Sequence, residues 1–430
     1  MICRLPERRW QTSAKVSNIR CAEHFQRFHA STPQPTTISL TSTITSTADI
    51  VIIGGGIHGC SLAFHLAAAN VGSVVLLEKK HIAAGPTAYS GAMIRALYNE
   101  QIHVDLVVAA TRVFEQWDDI VGGNAGFVQQ GFLRITDSLD AHVIGGDLEL
   151  TRQSGEPFEI LSHQQLCDLV PMGQFRSDEF AILFPTGGYA DPYKAAVELA
   201  EGARRQGATI HEGVEVRGVR LDQGSVAAVE TDEGTIATRL VVNCAGSWSH
   251  RVAAMVGIEL PIEVQPAPTC LFRKPDSMAT VGPILSDGVN RVYLRSLGDA
   301  VYRAAHFGHT EISANPDDYD RSVPLHQQQM LQDGLYDRYD DMARAPALGG
   351  FSALYDMTPD LHPIIGPIDG VNGFWCDCGW SGGGFAPAPA VGRSLSQMIQ
   401  GQDPDLDLDC FQWPRPTQLD SRVRKDWAHQ

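Results

Sequence analysis

The stretch Asp49-Ile50-Val51-Ile52-Ile53-Gly54-Gly55-Gly56-Ile57-His58-Gly59 decides how this chain folds. Its β-branched run reads as a buried parallel strand. The strand enters a G-x-G-x-x-G loop, and Ser61-Leu62-Ala63-Phe64-His65-Leu66-Ala67-Ala68-Ala69 follows with good helix formers. Ser73-Val74-Val75-Leu76-Leu77 then makes a second strand that ends on Glu78, 19 residues after Gly59. In such a unit Gly54 permits the tight turn and Gly56 lets backbone approach a pyrophosphate. Gly59 lets the helix pack closely on the strand. The helix N-terminus adds unpaired N–H groups and partial positive charge. Strand, loop, helix, strand and terminal acid together specify a dinucleotide-binding βαβ unit. Glu78 is placed to accept from a ribose diol, which favours FAD or NAD over NADP. His58, within the glycine loop, is expected to face solvent.

The rest of the composition mostly excludes. The 430 residues leave room for two or three domains of ordinary size. Asp and Glu number 50 against 33 Lys and Arg, a net charge of −17, so the chain lacks the basic surface of a nucleic-acid binder. The first 48 residues run against this trend, with Arg4, Arg8, Arg9, Lys15, Arg20 and Arg27 facing only Glu7 and Glu23. An Arg-bearing, Ser/Thr-rich leader reads as an organelle transit peptide or as a disordered extension. No run of uncharged apolar residues is long enough for a transmembrane helix. The 9 cysteines are irregularly spaced and include no Cys-x-x-Cys pair, so neither a disulfide framework nor a zinc site is expected. Cys376 and Cys378, which flank Asp377 with strand alternation, read as ordinary reduced thiols.

Four later segments bear on the choice between FAD and NAD. The first, Gly85-Pro86-Thr87-Ala88-Tyr89-Ser90-Gly91-Ala92-Met93-Ile94-Arg95, is a small-residue loop closed by an arginine. In the second, Asp191 caps a helix whose first position is Pro192. Thr209-Ile210, Val214-Glu215-Val216 and Leu240-Val241-Val242-Asn243-Cys244-Ala245-Gly246-Ser247-Trp248 follow it. The third alternates as a hairpin, Arg291-Val292-Tyr293-Leu294-Arg295 to Val301-Tyr302-Arg303, around Gly298-Asp299. The fourth runs Tyr355-Asp356-Met357-Thr358-Pro359-Asp360, then His362-Pro363-Ile364-Ile365-Gly366, then Cys378-Gly379-Trp380-Ser381-Gly382-Gly383-Gly384-Phe385, with a helix to about Ile399. From about Ala48 to Gln400 these segments resemble the D-amino-acid oxidase superfamily of FAD-dependent oxidoreductases, and in particular its sarcosine oxidase and dimethylglycine dehydrogenase branch.

The resemblance implies an α/β fold, a Rossmann-like FAD-binding domain interleaved with a strand-rich α+β substrate domain. The first takes 48–95, 183–255 and 350–400, and the second 96–182 and 256–349. A leader of 1–47 and a tail of 401–430 flank them. It places Gly54, Gly56, Ile57, His58, Gly59, Glu78, Lys79, Ser90, Val216, Ala245, Gly246, Gly382, Gly383, Gly384 and Phe385 around FAD. Arg95 would clamp a substrate carboxylate, the other reading being an exposed helix arginine. Arg303 falls where oxidases of this branch keep a lysine beside the flavin, the other reading being a plain surface-strand arginine. His362 either sits near the ring or is structural. Relatives that bind flavin covalently use a histidine near Tyr89 or a cysteine at the place of Ala353, so non-covalent FAD is expected here. Relatives also carry a lysine where this chain has Ala386.

The implied reaction is hydride transfer to flavin from an N-substituted amino acid or secondary amine, with oxygen reduced to hydrogen peroxide. Two alternatives stand beside it: a dehydrogenase passing electrons to a protein carrier or quinone, and a non-catalytic assembly factor that holds FAD. The expected partners are an amine or amino-acid substrate with oxygen or an electron carrier, and no nucleic acid or metal. The leader points to mitochondria, and without it the chain would be cytoplasmic.

Overall fold

The computed structural model describes residues 44–278, 282–306 and 313–415. Nearly all of the basic leader, 1–43, lies outside the described residues, as do the tail residues 416–430. Ile50–Ile53 is buried throughout. It runs parallel to Val74–Glu78 on one side and Leu240–Asn243 on the other. The full six-stranded sheet has the order Ile364–Pro367, Phe374–Cys378, Leu240–Asn243, Ile50–Ile53, Val74–Glu78, Thr209–Glu212. All are parallel except Ile364–Pro367, which is antiparallel to its neighbour.

Strand alternation divides the two cores of this sheet. Ile50, Ile52, Val74, Leu76 and Val242 face helices Ile57–Ala68, Gln101–Glu115, Pro192–Arg205 and Ala388–Ile399. Val51, Ile53, Val75, Leu77 and Val241 face the antiparallel sheet of Val216–Asp222, Ser225–Thr231 and Gly234–Ala237, together with helix Ser249–Ala254. Both faces are covered, as a parallel sheet requires. Asp191 caps its helix as its sequence suggests, accepting from the Tyr193 and Lys194 amides.

The second layer is an eight-stranded sheet, ordered Ala347–Met357, Glu263–Arg273, Val301–His306, Val292–Leu297, Ile284–Asp287, Phe132–Asp137, Glu179–Phe184, Glu159–Leu161. The 291–303 hairpin forms with Arg295 opposite Arg303. Two segments cross the sequence-based division of the chain. Ala347–Met357 pairs with Glu263–Arg273 in this second sheet. Gln101–Glu115 packs its apolar stripe into the core of the first sheet. In the second core, Arg338 sits between Asp287 at 2.7 Å and Glu179 at 2.6 Å. Burial alone would lower the Arg338 pKa, and the two carboxylates more than reverse it.

Three imidazoles sit where charging is penalised. Burial, with Arg393 nearby, lowers His65 to about 4. Burial, His362 and Arg415 lower His103 to about 3. Burial outweighs the pull of Asp360 and, with a smaller push from Arg415, lowers His362 to about 4. The native state therefore holds them neutral, while the unfolded chain protonates them near the ordinary histidine value of about 6.5. Their contribution to stability is present above that value and is lost as pH falls toward 4. Each group contributes at most about 1.4 kcal/mol per pH unit across that window. Urea unfolding at pH 7, 6 and 5 should give falling midpoints, and His103→Leu should flatten the fall. A midpoint that stays level from pH 7 to 5 would contradict this.

Candidate functional site

The glycine loop leaves no space for side chains. Gly54 has φ +113°, and a Cβ there would lie 2.5 Å from the Cys244 carbonyl oxygen. A Cβ on Gly59 would lie 2.0 Å from the Gly54 carbonyl oxygen. Gly56 caps helix Ile57–Ala68 in extended backbone without any side-chain cap, so a ligand anion could approach the helix start. The Ile57 amide donates to Thr87 Oγ1 at 3.1 Å. Glu78 accepts from the Gly55 amide at 2.8 Å and the Lys80 amide at 2.9 Å, and each oxygen keeps a second lone pair for a hydroxyl donor. Lys79 lies 2.9 Å from Asp317 and 4.0 Å above the Trp248 ring. Asp317 also accepts from Trp248 Nε1 and Arg251. Partial burial would raise its carboxyl pKa, but these donors outweigh that and hold it at about 2.

From this cradle a cavity of about 980 Å³ continues toward the eight-stranded sheet. Arg303 is buried on that sheet and donates to the Ser90 carbonyl at 2.6 Å, the Tyr89 carbonyl at 2.5 Å and the Tyr293 hydroxyl at 3.2 Å. Arg295 donates to the next loop carbonyl, that of Gly91. Burial and the neighbouring Arg303 lower the Arg295 pKa to about 10. The reading of Arg303 as a surface-strand arginine is therefore wrong, since its register turns it inward. Two guanidinium groups from one hairpin instead fasten three successive carbonyls of the small-residue loop.

Arg95 follows strand Met93–Ile94 rather than lying on a helix. It is half-buried, lines the cavity, donates to the Leu97 carbonyl at 3.2 Å and stacks 4.7 Å over Tyr98.

The last glycine loop closes the cavity from the other side. Gly382 has φ +90°, and a Cβ there would meet the Tyr355 ring at 3.1 Å. The expectation that His58 faces solvent is corrected here. Its ring is buried, 4.6 Å from Trp380 in a stack, and hydrogen-bonded to Asp377 and to the Gly384 carbonyl. It turns inward because the glycine loop lies beneath Gly384, which has no side chain to block it.

Gly54, Gly56, Ile57, His58, Glu78, Lys79, Ser90, Arg95, Val216, Ala245, Gly246, Arg303, Gly382, Gly383, Gly384 and Phe385 all line this one cavity. Gly59 does not line it and acts through packing instead. His362 lies apart, stacked 5.3 Å from His103 in a small pocket that also touches Trp380, which fits the structural reading. Sequence reasoning missed Thr87, Tyr293, Asp317, Tyr355 and Asp377. Asp377 alone carried a signal, as an acid between two buried thiols. The glycine cradle, the helix start behind Gly56 and Glu78 suit a dinucleotide. Among the described residues no cluster of His, Cys, Asp or Glu is placed to hold a metal ion, and no helix is long and apolar enough to cross a membrane.

Comparison with known proteins decides between the dinucleotides. Residues 49–398 match the family described as FAD dependent oxidoreductase, DAO. The chain belongs to this family. It is 27% identical over 381 residues to dimethylglycine dehydrogenase, mitochondrial, of Mus musculus, covering 84% of this chain and 43% of that protein. It therefore spans less than half of that relative's length. It is also 26% identical to sarcosine oxidase subunit beta of Arthrobacter sp, over 83% of this chain and 87% of that one. The crystal structure of L-proline dehydrogenase from P. horikoshii superposes with TM-score 0.79 at 25% identity, over 86% of this chain and 97% of that one.

The double tie from the hairpin makes a prediction about the loop. Arg303→Met removes the donors to Tyr89 and Ser90 and leaves two carbonyls unsatisfied, a loss of about 1–3 kcal/mol. Amide hydrogen exchange in residues 85–95 should accelerate about tenfold or more, ahead of the rest of the chain. Unchanged protection there would show that the loop does not depend on Arg303.

Proposed function

We propose that this chain uses non-covalent FAD to oxidise an amine or amino acid that carries a carboxylate. One observation carries the reading: the glycine cradle and the half-buried Arg95 line a single continuous cavity. Bound FAD would supply the two-electron acceptor for a hydride leaving the carbon beside the amine nitrogen. Gly54, Gly56 and the start of helix Ile57–Ala68 would hold its pyrophosphate, with Glu78 on the ribose. Lys79 and the last glycine loop would flank the rest.

Arg95 is the cation that meets the substrate. Its guanidinium can grip a carboxylate bidentately, and Tyr98 and Phe132 beneath it fix its direction. That grip orients the amine-bearing carbon and supplies the entropic part of catalysis. Tyr355, Trp380 and Phe385 wall the cavity and exclude water. The imine product would hydrolyse to a dealkylated or deaminated compound.

Ala386 and Ala353 both line the cavity. The first supplies no second carboxylate ligand and the second no thiol, which supports a loosely held substrate and an unlinked cofactor. Oxygen as electron acceptor, giving hydrogen peroxide, is the first reading. Transfer to a carrier protein or quinone is the second, and one observation speaks for it: Arg303 spends its donors on loop carbonyls. The mitochondrial name of the dimethylglycine dehydrogenase relative supports the same location for this chain.

The purified protein should be yellow and should release all of its flavin on acid precipitation. Anaerobic addition of N-methyl amino acids should bleach the band at about 450 nm, and air should restore it if oxygen is the acceptor. Arg95→Ala should raise KM for the best carboxylate-bearing donor about tenfold to hundredfold, the worth of a charge-assisted bidentate pair. If no amine, N-methyl amino acid or amino acid bleaches the flavin, the reading fails. An unchanged KM in Arg95→Ala removes the clamp.

A further inference from the structure

His58 lies outside the reaction described above, yet both of its ring nitrogens are engaged. Nδ1 is 3.0 Å from Asp377 Oδ2, and Nε2 is 2.8 Å from the Gly384 carbonyl oxygen. A carbonyl can only accept, so Nε2 carries a proton. A neutral imidazole would then turn a lone pair from Nδ1 toward a carboxylate oxygen, and only a second proton makes that contact attractive. The other Asp377 oxygen accepts from Trp380 Nε1 at 2.8 Å, and the Asp377 side chain is fully buried. Asp377 therefore has no water to stabilise its charge and depends on the ring that faces it.

We infer that His58 is an imidazolium, paired with the Asp377 carboxylate, that ties the first glycine loop to the last and sets its charged ring against the bound dinucleotide. The cofactor part of this statement rests on the proposed FAD site; the protonation part does not.

The surroundings are consistent with a cation. Asp377 on strand Phe374–Cys378 and Asp356 on strand Ala347–Met357 are the charged groups facing the ring, while Trp380 and Gly384 from the loop are neutral. Burial raises the Asp356 pKa, and the field of His58 is among the influences that pull it back. The nearby thiols of Cys244 and Cys378 are pushed well above their ordinary range, Cys244 mainly by burial and Cys378 by its bond with Cys376 and burial, so they add no charge. Within the pair, the His58 side chain keeps 11% exposure and Asp377 keeps none, and both line the cavity. The tie spans 319 and 326 residues of chain, which makes it the link between the two loops that enclose the cofactor.

The direct test is a long-range ¹H–¹⁵N correlation spectrum of the FAD-loaded full chain labelled on histidine. The His58 signals are assigned by their loss in His58→Gln, or by their contacts with the Trp380 ring if that variant does not fold. Both ring nitrogens should show the protonated shift at pH 7. In Asp377→Asn one nitrogen should lose its proton. The FAD dissociation constant, read by flavin fluorescence, should rise about tenfold or more in Asp377→Asn and His58→Gln. A singly protonated ring at pH 7 in the unaltered protein would overturn the inference. Affinity within about twofold in both variants would overturn the role toward the cofactor. A chain that fails to oxidise any amine, yet shows the doubly protonated ring, would sink the proposed reaction and leave this inference standing.

Discussion

Gly54, Gly59 and the Cys244 backbone meet so closely at the end of the central strand that neither glycine could gain a side chain. The Gly54 carbonyl occupies the place where a Gly59 side chain would be, and the Cys244 carbonyl occupies the place where a Gly54 side chain would be. This crossing lets helix Ile57–Ala68 start directly on the sheet and brings strand Leu240–Asn243 alongside. It also sets the Glu78 carboxylate against the Gly55 amide. Helix direction, sheet order and the open anion-facing turn all follow from one tight backbone contact.

Around that crossing, basic side chains serve as fasteners. Arg303 and Arg295 hold the loop at Tyr89, Ser90 and Gly91. Lys79 and Arg251 hold Asp317 over the cradle, and His58 holds the last glycine loop. Each bond joins segments far apart in the chain, and most of them end on backbone oxygens. The cavity is thus framed by charge-assisted ties, which are stronger than neutral hydrogen bonds. Arg95, by contrast, donates to the Leu97 carbonyl and stacks on aromatic rings, and the proposed clamp draws on its other donors.

The local parts of this structure were legible in the sequence. The strand, glycine loop, helix, second strand and Glu78 fall within about thirty residues, and each has a composition that physics ties to its shape. The hairpin ending at Arg303 and the Asp191 cap were legible for the same reason. The orientation of His58 was not, because its partners lie 319 and 326 residues away. The inward turn of Arg303 was equally hidden, since alternation gives two faces without saying which one meets the cavity. The usual burial of free thiols did suit Cys376 and Cys378, and strand alternation left Asp377 on the opposite face, where His58 now meets it.

The claim that the two glycine loops enclose FAD is tested most directly by calorimetry of the flavin-stripped full chain against FAD and NAD. One FAD should bind per chain with a dissociation constant below about 1 μM, while NAD should fail to saturate at about 1 mM. Tighter binding of NAD than of FAD, or no binding of FAD to a folded chain, would contradict the account.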